Sequence, residues 1–504
     1  MVYFRTVMID LRSWYLKAPL KVIVLGGLLL RLIAAFFSRG YGMHDDHFLV
    51  IEAGSSFADG FDYNNWLPWN SGGVPSGHSW FYVGIHFLIF KFYNLIGLHD
   101  PQWKMIIIRV LHAVYSLLVI VLGYKITIRL SDEKTARYTA CLLAFMWFIP
   151  ATSVRNLVEW VCVPPLMASV LYLLKFEESR KRQFIILAGV FAGIAMGIRF
   201  QSLFFFAGTG IYLLWKREII NGIICFISFL IAFFLTQSVD LLIWGHPFVE
   251  MGEYIRYNLA NSTTYFDRPW YQYILTVGGM LVPPVSLFLI AGYVKSWKKI
   301  LPLLLPSMAF FLFHSYFPNK QERFILPFVP FLIMGGMIGW MQMREHITWK
   351  KFESGSWKFF WVLNFLAMAV ISTNYTKRPR VEAMYYLYGK PDYNAFVVES
   401  TQLENPQSPP QFYSGKWQKP YCLYKDYTVT KFNKEIKTRP ASDFPNYILF
   451  FDNENLKNRV DSFQIITGKK LELVYTAQPS NLDELLHWLN SHNKNYPMYV
   501  YHTK

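Results

Sequence analysis

The sequence predicts an α-helical polytopic membrane protein of about 11 transmembrane helices, followed by a small C-terminal extracytoplasmic α/β domain. Of its 504 residues, 53% are hydrophobic and 16% are charged, whereas soluble proteins carry about 25% charged residues. Apolar runs recur from residue 18 to residue 374, which excludes a soluble enzyme and a disordered chain. The 49 Lys and Arg residues outnumber 33 Asp and Glu residues, for a net charge of +16. These cations fall in short loops between apolar runs, which indicates cytoplasmic loops rather than a nucleic-acid-binding surface.

The helices are placed by two rules, a length of about 20 apolar residues and Lys or Arg in the inside loops. The first helix then runs outward from a cytoplasmic N-terminus, and the C-terminus lies outside. The half-polar segment 79–97 is predicted to lie along the outer interface, because counting it as a span moves every later basic loop outside. The predicted spans are 18–38, 104–123, 138–152, 156–174, two short spans within 184–215, 219–243, 272–294, 301–317, 324–342 and 358–374.

The apolar stretch 184–215 contains a charged residue, Arg199, near its middle. As one helix it would be about 48 Å long, which exceeds a bilayer core. It is therefore predicted to break near Arg199 into two short spans. The first half carries Gly189, Gly193 and Gly197, a spacing that allows a neighbouring helix to pack closely.

From residue 375 the composition changes, which predicts two domains, 1–374 in the membrane and 375–504 on the extracytoplasmic side. Residues 376–394 and 404–411 are predicted to be linker and turns. The runs NYILFF, KLELVY and MYVYHT have the pattern of short strands, and LDELLHWLNSH that of a helix between strands.

Paired acids flanked by histidines follow the first helix, in the order His44, Asp45, Asp46 and His47. Such acids can supply a general base or bind a divalent metal. The alternative is structural, with one of the two aspartates capping the helical segment 46–57. The spacing is not a metal signature, and no metal site is predicted.

Basic residues also lie in an outer loop, against the inside bias of the chain. Lys320 and Arg323 in the sequence PNKQER would suit a phosphate, because Arg offers a bidentate fork and Lys a point charge. Ordinary positioning of long side chains at the interface is the alternative. Arg155 begins a predicted span, and pairing with Glu159 four residues later on one helical face is its structural alternative.

The stretch 318–331, PNKQERFILPFVPF, resembles the HKExRF-(x)P-x-x-P signature of glycosyltransferase family 22. That family contains GT-C membrane mannosyltransferases of the GPI-anchor and N-glycan type. Three further matches come in the family's order: MHDDHF resembles the acidic motif HPDEYW, SVRNLVEW resembles R-T-x-S-N-x-x-E, and the segment ending YFDRPWYQY resembles (S/T)xPWYWY. Two departures, Asn319 for the family His and Gln321 for its first Glu, indicate a divergent, bacterial branch and leave the donor sugar open.

The resemblance implies an inverting transfer of mannose from a polyprenyl-phosphate donor to a lipid-linked or cell-surface glycan acceptor, on the extracytoplasmic face. Asp45 would take the proton of the acceptor hydroxyl, with Asp46 as the second candidate. Arg323, Lys320 and Arg155 would bind the leaving lipid phosphate. No cofactor is expected. The other candidate substrate-binding residues are Glu322, Gln321, His246, Trp270 and Tyr271.

Two other functions remain open from the sequence. A GT-C transferase for another sugar would share the motifs, whereas a lipid-linked glycan transporter or flippase would place polar groups at the membrane midplane. The terminal YHTK is not a retention signal, which favours a bacterial inner membrane over the endoplasmic reticulum.

Overall fold

The computed structural model describes residues 14–62, 64–70, 72–400, 408–418, 421–423, 427–440, 444–490 and 495–504. These residues form two compact units. The first unit comprises the described residues up to Phe36, Trp66–Gly84 and Ile108–Thr373. The second unit combines the described residues of Phe37–Asn65, Ile85–Ile107 and Asn374–Lys504. The division at residue 374 into a membrane domain and an extracytoplasmic domain stays a prediction.

The multi-span helical architecture expected from the sequence is confirmed. Among the described residues, six helices are long and apolar enough to cross a membrane: Pro19–Phe37, Pro101–Leu130, Val158–Ser179, Ile219–Trp244, Glu322–Arg344 and Lys350–Thr373. A bent pair, Gln272–Met280 and Val285–Lys295, could supply a seventh, with 119° between its halves. Three shorter apolar helices are Arg182–Ile198, Ser202–Trp215 and Leu301–Tyr316. The count of about 11 spans and their orientation stay predictions.

Further helices of the first unit are short, and include Glu133–Phe145, Ile149–Ser153 and Val249–Ala260. Two of the candidate spans combine two elements each: Val158–Val161 with Val163–Ser179, and the 3-10 helix Glu322–Phe328 with Val329–Arg344. The helix Trp80–Leu95 corresponds to the predicted interfacial segment.

The predicted span 138–152 is interrupted in the structure. Helix Glu133–Phe145 starts at Asp132, whose side chain accepts the backbone N–H of Thr135 at 2.9 Å. The helix ends at Met146, whose backbone is extended, and Ile149–Ser153 begins again with Pro150 in its first turn. Proline is favoured at a helix start because an N–H group in the first turn would have no acceptor within the helix, so its absence costs nothing.

The break predicted at Arg199 is confirmed. Helix Arg182–Ile198 ends there because Arg199 adopts an extended backbone, with φ −142° and ψ 111°. The chain becomes helical again at Ser202–Trp215. A long apolar stretch is therefore divided by one buried charged residue.

The predicted close packing of the small residues is also confirmed. Gly189, Gly193 and Gly197 line the contact with helix Ile219–Thr236. A Cβ added at Gly193 would lie 2.5 Å from the carbonyl oxygen of Phe229. The glycines therefore allow the two helix backbones to approach more closely than side chains would permit.

The second unit contains a five-stranded sheet of order β2-β1-β3-β5-β4. The strands are β1 Phe396–Glu399, β2 Tyr421–Leu423, β3 Tyr447–Phe451, β4 Leu471–Ala477 and β5 Met498–Thr503. Strand β1 is parallel to β2 and β3, whereas β5 is antiparallel to β3 and β4. The predicted strands β3, β4 and β5 and the helix between strands are confirmed. Strands β1 and β2 carry a weaker alternation and are additional.

Helices of the second unit cover the sheet and precede it. They are Arg378–Leu387, Val429–Ile436, Leu456–Thr467 and Asn481–Leu489, with the π-helix Asp46–Glu52 and the helix Ala53–Ala58 from the earlier segment. Phe432 and Phe463 of two helices pack with Val397, Ile448 and Phe450 of the strands in one buried cluster. This α/β core agrees with the class predicted for the C-terminal residues.

Candidate active site

Three charged side chains meet in the interior of the first unit. Glu159 Oε1 lies 3.8 Å from Arg199 Nη2 and 3.9 Å from Arg323 Nε. All three residues are buried, and Glu159 is 2% exposed. One carboxylate therefore faces two guanidinium groups, each of which has several N–H donors. Buried charges in a membrane protein are costly and are usually functional, which makes the cluster a candidate anion-binding site.

Arg199 is held by further groups of the same unit. Its Nη1 donates a hydrogen bond to the carbonyl oxygen of Phe324 at 3.1 Å. The guanidinium group also lies 5.5 Å and 5.7 Å from the ring centroids of Phe310 and Phe324. These contacts restrict the side chain to one position, so a ligand would meet a preorganised cation.

Lys320 connects two loops. Its Nζ donates to the carbonyl oxygens of Phe317 at 2.6 Å and Arg268 at 3.0 Å. Next to it, Asp267 and Asn319 form a β-bridge. Burial lowers the pKa of the Lys320 ammonium. Two of its three N–H donors serve the backbone, which leaves one donor for the phosphate expected from the sequence.

Gln321 contacts both Arg323 and Tyr273 of the helix Gln272–Met280. Its Oε1 accepts a hydrogen bond from Arg323 Nε at 3.0 Å, and its carbonyl oxygen accepts one from the Tyr273 hydroxyl at 3.0 Å. Glu322, the neighbouring candidate, is exposed. Gln321 therefore orients Arg323 in this structure.

The two aromatic candidates lie on the surface of the first unit. Trp270 is 66% exposed and Tyr271 is 46% exposed, with their rings 5.8 Å apart at nearly a right angle. His246 is also exposed, and its Nδ1 lies 2.9 Å from the carbonyl oxygen of Trp244. These rings could meet a sugar or a lipid headgroup.

Arg155 lies between two helices. One helix ends at Ser153 and the next begins at Val158. Arg155 and Glu159 therefore do not share one helical face, as the structural alternative required. The ion pairs of Glu159 with Arg199 and Arg323 join residues that are distant in the sequence.

The paired acids belong to the second unit. Asp46 begins the π-helix Asp46–Glu52, and Asp45 already has helical backbone angles, unlike an ordinary capping residue. Asp46 is 4% exposed. π-Helical turns are rare and occur frequently at functional sites, so this local geometry supports a chemical role for the segment.

Aromatic rings and an acid surround the histidine that follows these acids. The His47 ring stacks between Tyr41 and Tyr413, at centroid distances of 4.7 Å and 5.5 Å. Its Nε2 lies 3.5 Å from Glu52 Oε1, which accepts the backbone N–H of Phe412 at 3.0 Å. Residues of the C-terminal sequence thus fix the helical turn that carries Asp45 and Asp46.

Glu250 forms a separate buried group in the first unit. Its carboxylate accepts hydrogen bonds from Ser76 Oγ at 2.9 Å, Gly77 N at 2.8 Å and Trp244 Nε1 at 3.2 Å. Burial raises the pKa of Glu250 to about 7, and the nearby Asp240 carboxylate adds to this effect. Glu250 is an acid that the sequence reasoning did not select.

Arg199 was noted in the sequence only as the position of a helix break. Its signal was a charged residue inside an apolar stretch, which is a functional indicator in membrane proteins. The structure brings it to Glu159 and Arg323. The candidate residues fall into two groups, one in each unit.

Comparisons with known proteins agree with this architecture. The model of a family described as the Alg9-like mannosyltransferase family matches residues 22–402. GPI mannosyltransferase 3 of Yarrowia lipolytica is 23% identical over 337 residues, which cover 63% of this chain and 63% of the relative. GPI alpha-1,2-mannosyltransferase 3 of Homo sapiens is 23% identical over 331 residues, covering 64% of this chain and 57% of the relative. The chain therefore spans less than two thirds of the length of these relatives.

Solved structures share the fold at low identity. ArnT from Cupriavidus metallidurans in the apo state has a TM-score of 0.59 at 12% identity, covering 96% of this chain and 98% of that chain. The same protein bound to undecaprenyl phosphate has a TM-score of 0.56 at 13% identity, covering 95% and 97%. The Archaeoglobus fulgidus oligosaccharyltransferase has a TM-score of 0.51 at 12% identity, covering 86% and 67%. The GT-C type fold expected from the sequence is confirmed.

Proposed function

The chain belongs to the Alg9-like mannosyltransferase family, and from this premise we propose that it is an inverting membrane glycosyltransferase. It moves mannose from a polyprenyl-phosphate donor to a lipid-linked or cell-surface glycan acceptor. The GPI mannosyltransferase relatives support the sugar. The undecaprenyl phosphate bound to the similar ArnT structure supports the carrier. We propose the extracytoplasmic face of a bacterial inner membrane as its location, with the endoplasmic reticulum as the alternative.

The Glu159, Arg199 and Arg323 cluster is the observation that carries the proposal. When the C1–O bond of the sugar breaks, the electron pair stays on the lipid phosphate, and its negative charge grows. Two buried guanidinium groups that face one carboxylate stabilise that charge more strongly than solvent-exposed cations can. Arg323 and Arg199 are the principal groups, and Lys320 and Arg155 are assigned to assist them.

The paired acids supply the base. Asp45 accepts the proton of the acceptor hydroxyl while the oxygen of that hydroxyl attacks C1 from the face opposite the phosphate. Asp46 is the second candidate for this base. Attack from the opposite face inverts the configuration at C1. The leaving phosphate is a weak base, so the reaction needs no general acid.

The remaining candidates contact the sugars. Trp270 and Tyr271 present exposed rings suited to stacking on a pyranose face, and His246 and Glu322 are exposed hydrogen-bonding groups. Gln321 keeps its side chain on Arg323 and acts as a positioning residue for that cation.

The test is sugar transfer by the full-length protein in nanodiscs, with polyprenyl-phosphate mannose, a lipid-extract acceptor pool and EDTA. Asp45→Asn, Asp46→Asn and Arg323→Ala are compared with wild type, and the exposed Asp461→Asn serves as control. Loss of the general base is expected to lower kcat by at least about 100-fold in one Asp variant. Activity with another polyprenyl-phosphate sugar alone would change the donor and keep the mechanism. Transfer unaffected by both Asp variants would contradict the assignment of the base.

A further inference from the structure

The segment after the last long helix is fastened to the first loop by backbone pairing within the second unit. Thr376 N donates a hydrogen bond to the carbonyl oxygen of Arg39 at 3.1 Å, and Gly40 forms a parallel bridge with Thr376. Gly40 has a φ of +77°, and a Cβ at this position would overlap the carbonyl oxygen of Thr376. Residues 375–380, which look like a linker in the sequence, are therefore held beside the first loop.

Two cations of this segment converge on one tyrosine. Lys377 Nζ lies 5.5 Å from the ring centroid of Tyr41, and Arg380 Nη1 donates to the Tyr41 hydroxyl at 3.5 Å. Both cations lie close enough to His44 to lower its pKa, in addition to the effect of burial, whereas the Asp45 carboxylate raises it. The two cations therefore lie near the segment 41–47, which carries His44 and Asp45 and in which the Tyr41 ring stacks on His47.

Neither cation is balanced by a close acid. In the part of the chain that the structure describes, no carboxylate lies within 4 Å of Lys377 or Arg380, whereas Arg378 pairs with Glu382 at 2.8 Å. The charge of Asp483 acts on Lys377 and partly opposes the lowering of its pKa. The Asp483 carboxylate accepts hydrogen bonds from Ser480 and Asn495. Burial and the charge of Arg380 lower the pKa of Lys377 to about 7. The fold thus holds two basic groups against one tyrosine, with no acid within 4 Å of either among the described residues.

We propose that Lys377 and Arg380 bind a phosphate group of a lipid-linked substrate beside the His44–Asp45 pair. The inference rests on the proposed function, because that reaction brings phosphate groups to the protein. A guanidinium fork together with an ammonium group matches phosphate oxygens. The helix Arg378–Leu387 begins at this point, and the partial positive charge of its N-terminal end adds to the attraction. An anion bound here favours the protonated form of Lys377.

The experiment measures lipid binding by the full-length protein in phosphatidylcholine nanodiscs, independently of transfer. The probes are undecaprenyl phosphate, the carrier of the donor side, and phosphatidylinositol, a phosphodiester lipid on which glycans are built. The variants are Lys377→Asn, Arg380→Gln and the double variant. Asn is chosen because Lys377 has a φ of +53°. Asn tolerates this left-handed backbone conformation and carries no charge. Each substitution is expected to weaken binding roughly tenfold, as the loss of one charge-assisted hydrogen bond.

Arg378→Gln is the matched control, because it removes a cation of the same segment that is already paired with Glu382. Its affinity is expected to equal that of wild type. Arg380→Lys retains the charge but lacks the fork, so it is expected to restore part of the affinity lost in Arg380→Gln, which separates phosphate binding from folding. If the Lys377 and Arg380 variants lose affinity for only one of the two lipids, that lipid identifies the source of the phosphate.

Unchanged affinity of the double variant for both lipids overturns the inference, as does a wild-type protein that binds neither lipid. A protein that binds a lipid through these residues but transfers no sugar from any polyprenyl-phosphate donor supports the phosphate site and contradicts the proposed function. The two failures are therefore distinguishable.

Discussion

Arg199 donates a hydrogen bond to the main-chain carbonyl oxygen of Phe324, a residue 125 positions away in the sequence. The bond attaches the break between two apolar helices to the segment that also carries Arg323. One guanidinium group therefore faces both a backbone carbonyl and the Glu159 carboxylate. The geometry of the candidate anion site depends on this branched side chain as well as on its charge.

Replacing Arg199 with Lys tests this dependence. Lys keeps the charge but lacks the planar fork, so it cannot reach the Phe324 carbonyl and the Glu159 carboxylate together. We expect kcat/KM for sugar transfer to fall by roughly 10- to 100-fold, the effect of one charge-assisted hydrogen bond. The exposed Arg182→Lys at the start of the preceding helix should match wild type. An Arg199→Lys enzyme with wild-type kcat/KM would show that only the charge matters.

The pKa of Glu250 predicts how stability depends on pH. Because this pKa is raised from 4.5 to about 7 in the folded state, the folded protein binds the proton more tightly than the unfolded chain. Its contribution is fully present below pH 4.5 and is lost as pH rises through 7. The free energy of unfolding should therefore fall by at most about 3 kcal/mol across this window.

The measurement is the Tm of the detergent-solubilised protein between pH 5 and pH 8. Glu250→Gln removes the titrating group and should flatten the decline in Tm. Glu253→Gln is a suitable control, since this acid lies on the same helix and pairs with Arg256 at 2.5 Å on the surface. Parallel Tm curves for Glu250→Gln and wild type would contradict the assignment.

Replacing glycine with alanine is expected to destabilise the protein at Gly193 and to stabilise it at Gly210. At Gly193 an added Cβ would lie 2.5 Å from Phe229 O and 2.8 Å from Ala232 Cβ, so Gly193→Ala should cost about 1–3 kcal/mol through overpacking. At Gly210, also in an apolar helix, an added Cβ meets no atom within 4 Å in the described part of the chain. Gly210→Ala should therefore stabilise by up to about 1 kcal/mol through helix propensity. Thermal denaturation of both variants measures the contrast, and equal shifts would argue against helix contact at Gly193.

Glu52 should contribute more to stability than an exposed acid of the same unit. It is completely buried and accepts the backbone N–H of Phe412, so Glu52→Ala leaves a buried donor without its acceptor and should cost about 1–3 kcal/mol. Glu472 pairs with Lys504 at 2.6 Å but is 53% exposed, and Glu472→Ala should cost less than about 1 kcal/mol. Chemical denaturation followed by tryptophan fluorescence compares them. A larger loss for Glu472→Ala would be inconsistent with this packing.

The features that the sequence predicted correctly have local signals. Arg199 interrupts an apolar stretch, the glycines recur every four residues, and strands β3 to β5 are short apolar runs between turn residues. Each pattern is contained within about 20 residues, so hydropathy and spacing suffice to detect it. The resemblance to a known family also depended on such local motifs.

The pairings that shape the two candidate sites have no local signal. Glu159 suggested a pairing with Arg155 because residues four apart are neighbours on a helix, yet its partners are distant in the sequence. The segment containing Lys377 looks like a linker because its attachment to Gly40 uses backbone atoms, which every residue possesses. Such relations arise from tertiary structure and require coordinates.

The order of the sheet has a consequence for the protein during its synthesis. Strand β5 follows β4 in the chain but lies between β3 and β4, so β4 can join the sheet only after residues 498–503 have left the ribosome. Glu52 must likewise wait for Phe412, which is made 360 residues later. At about 5–20 residues per second, that interval lasts on the order of 20–70 s. Throughout this time the turn that carries Asp45 and Asp46 lacks its contacts with Phe412 and Tyr413.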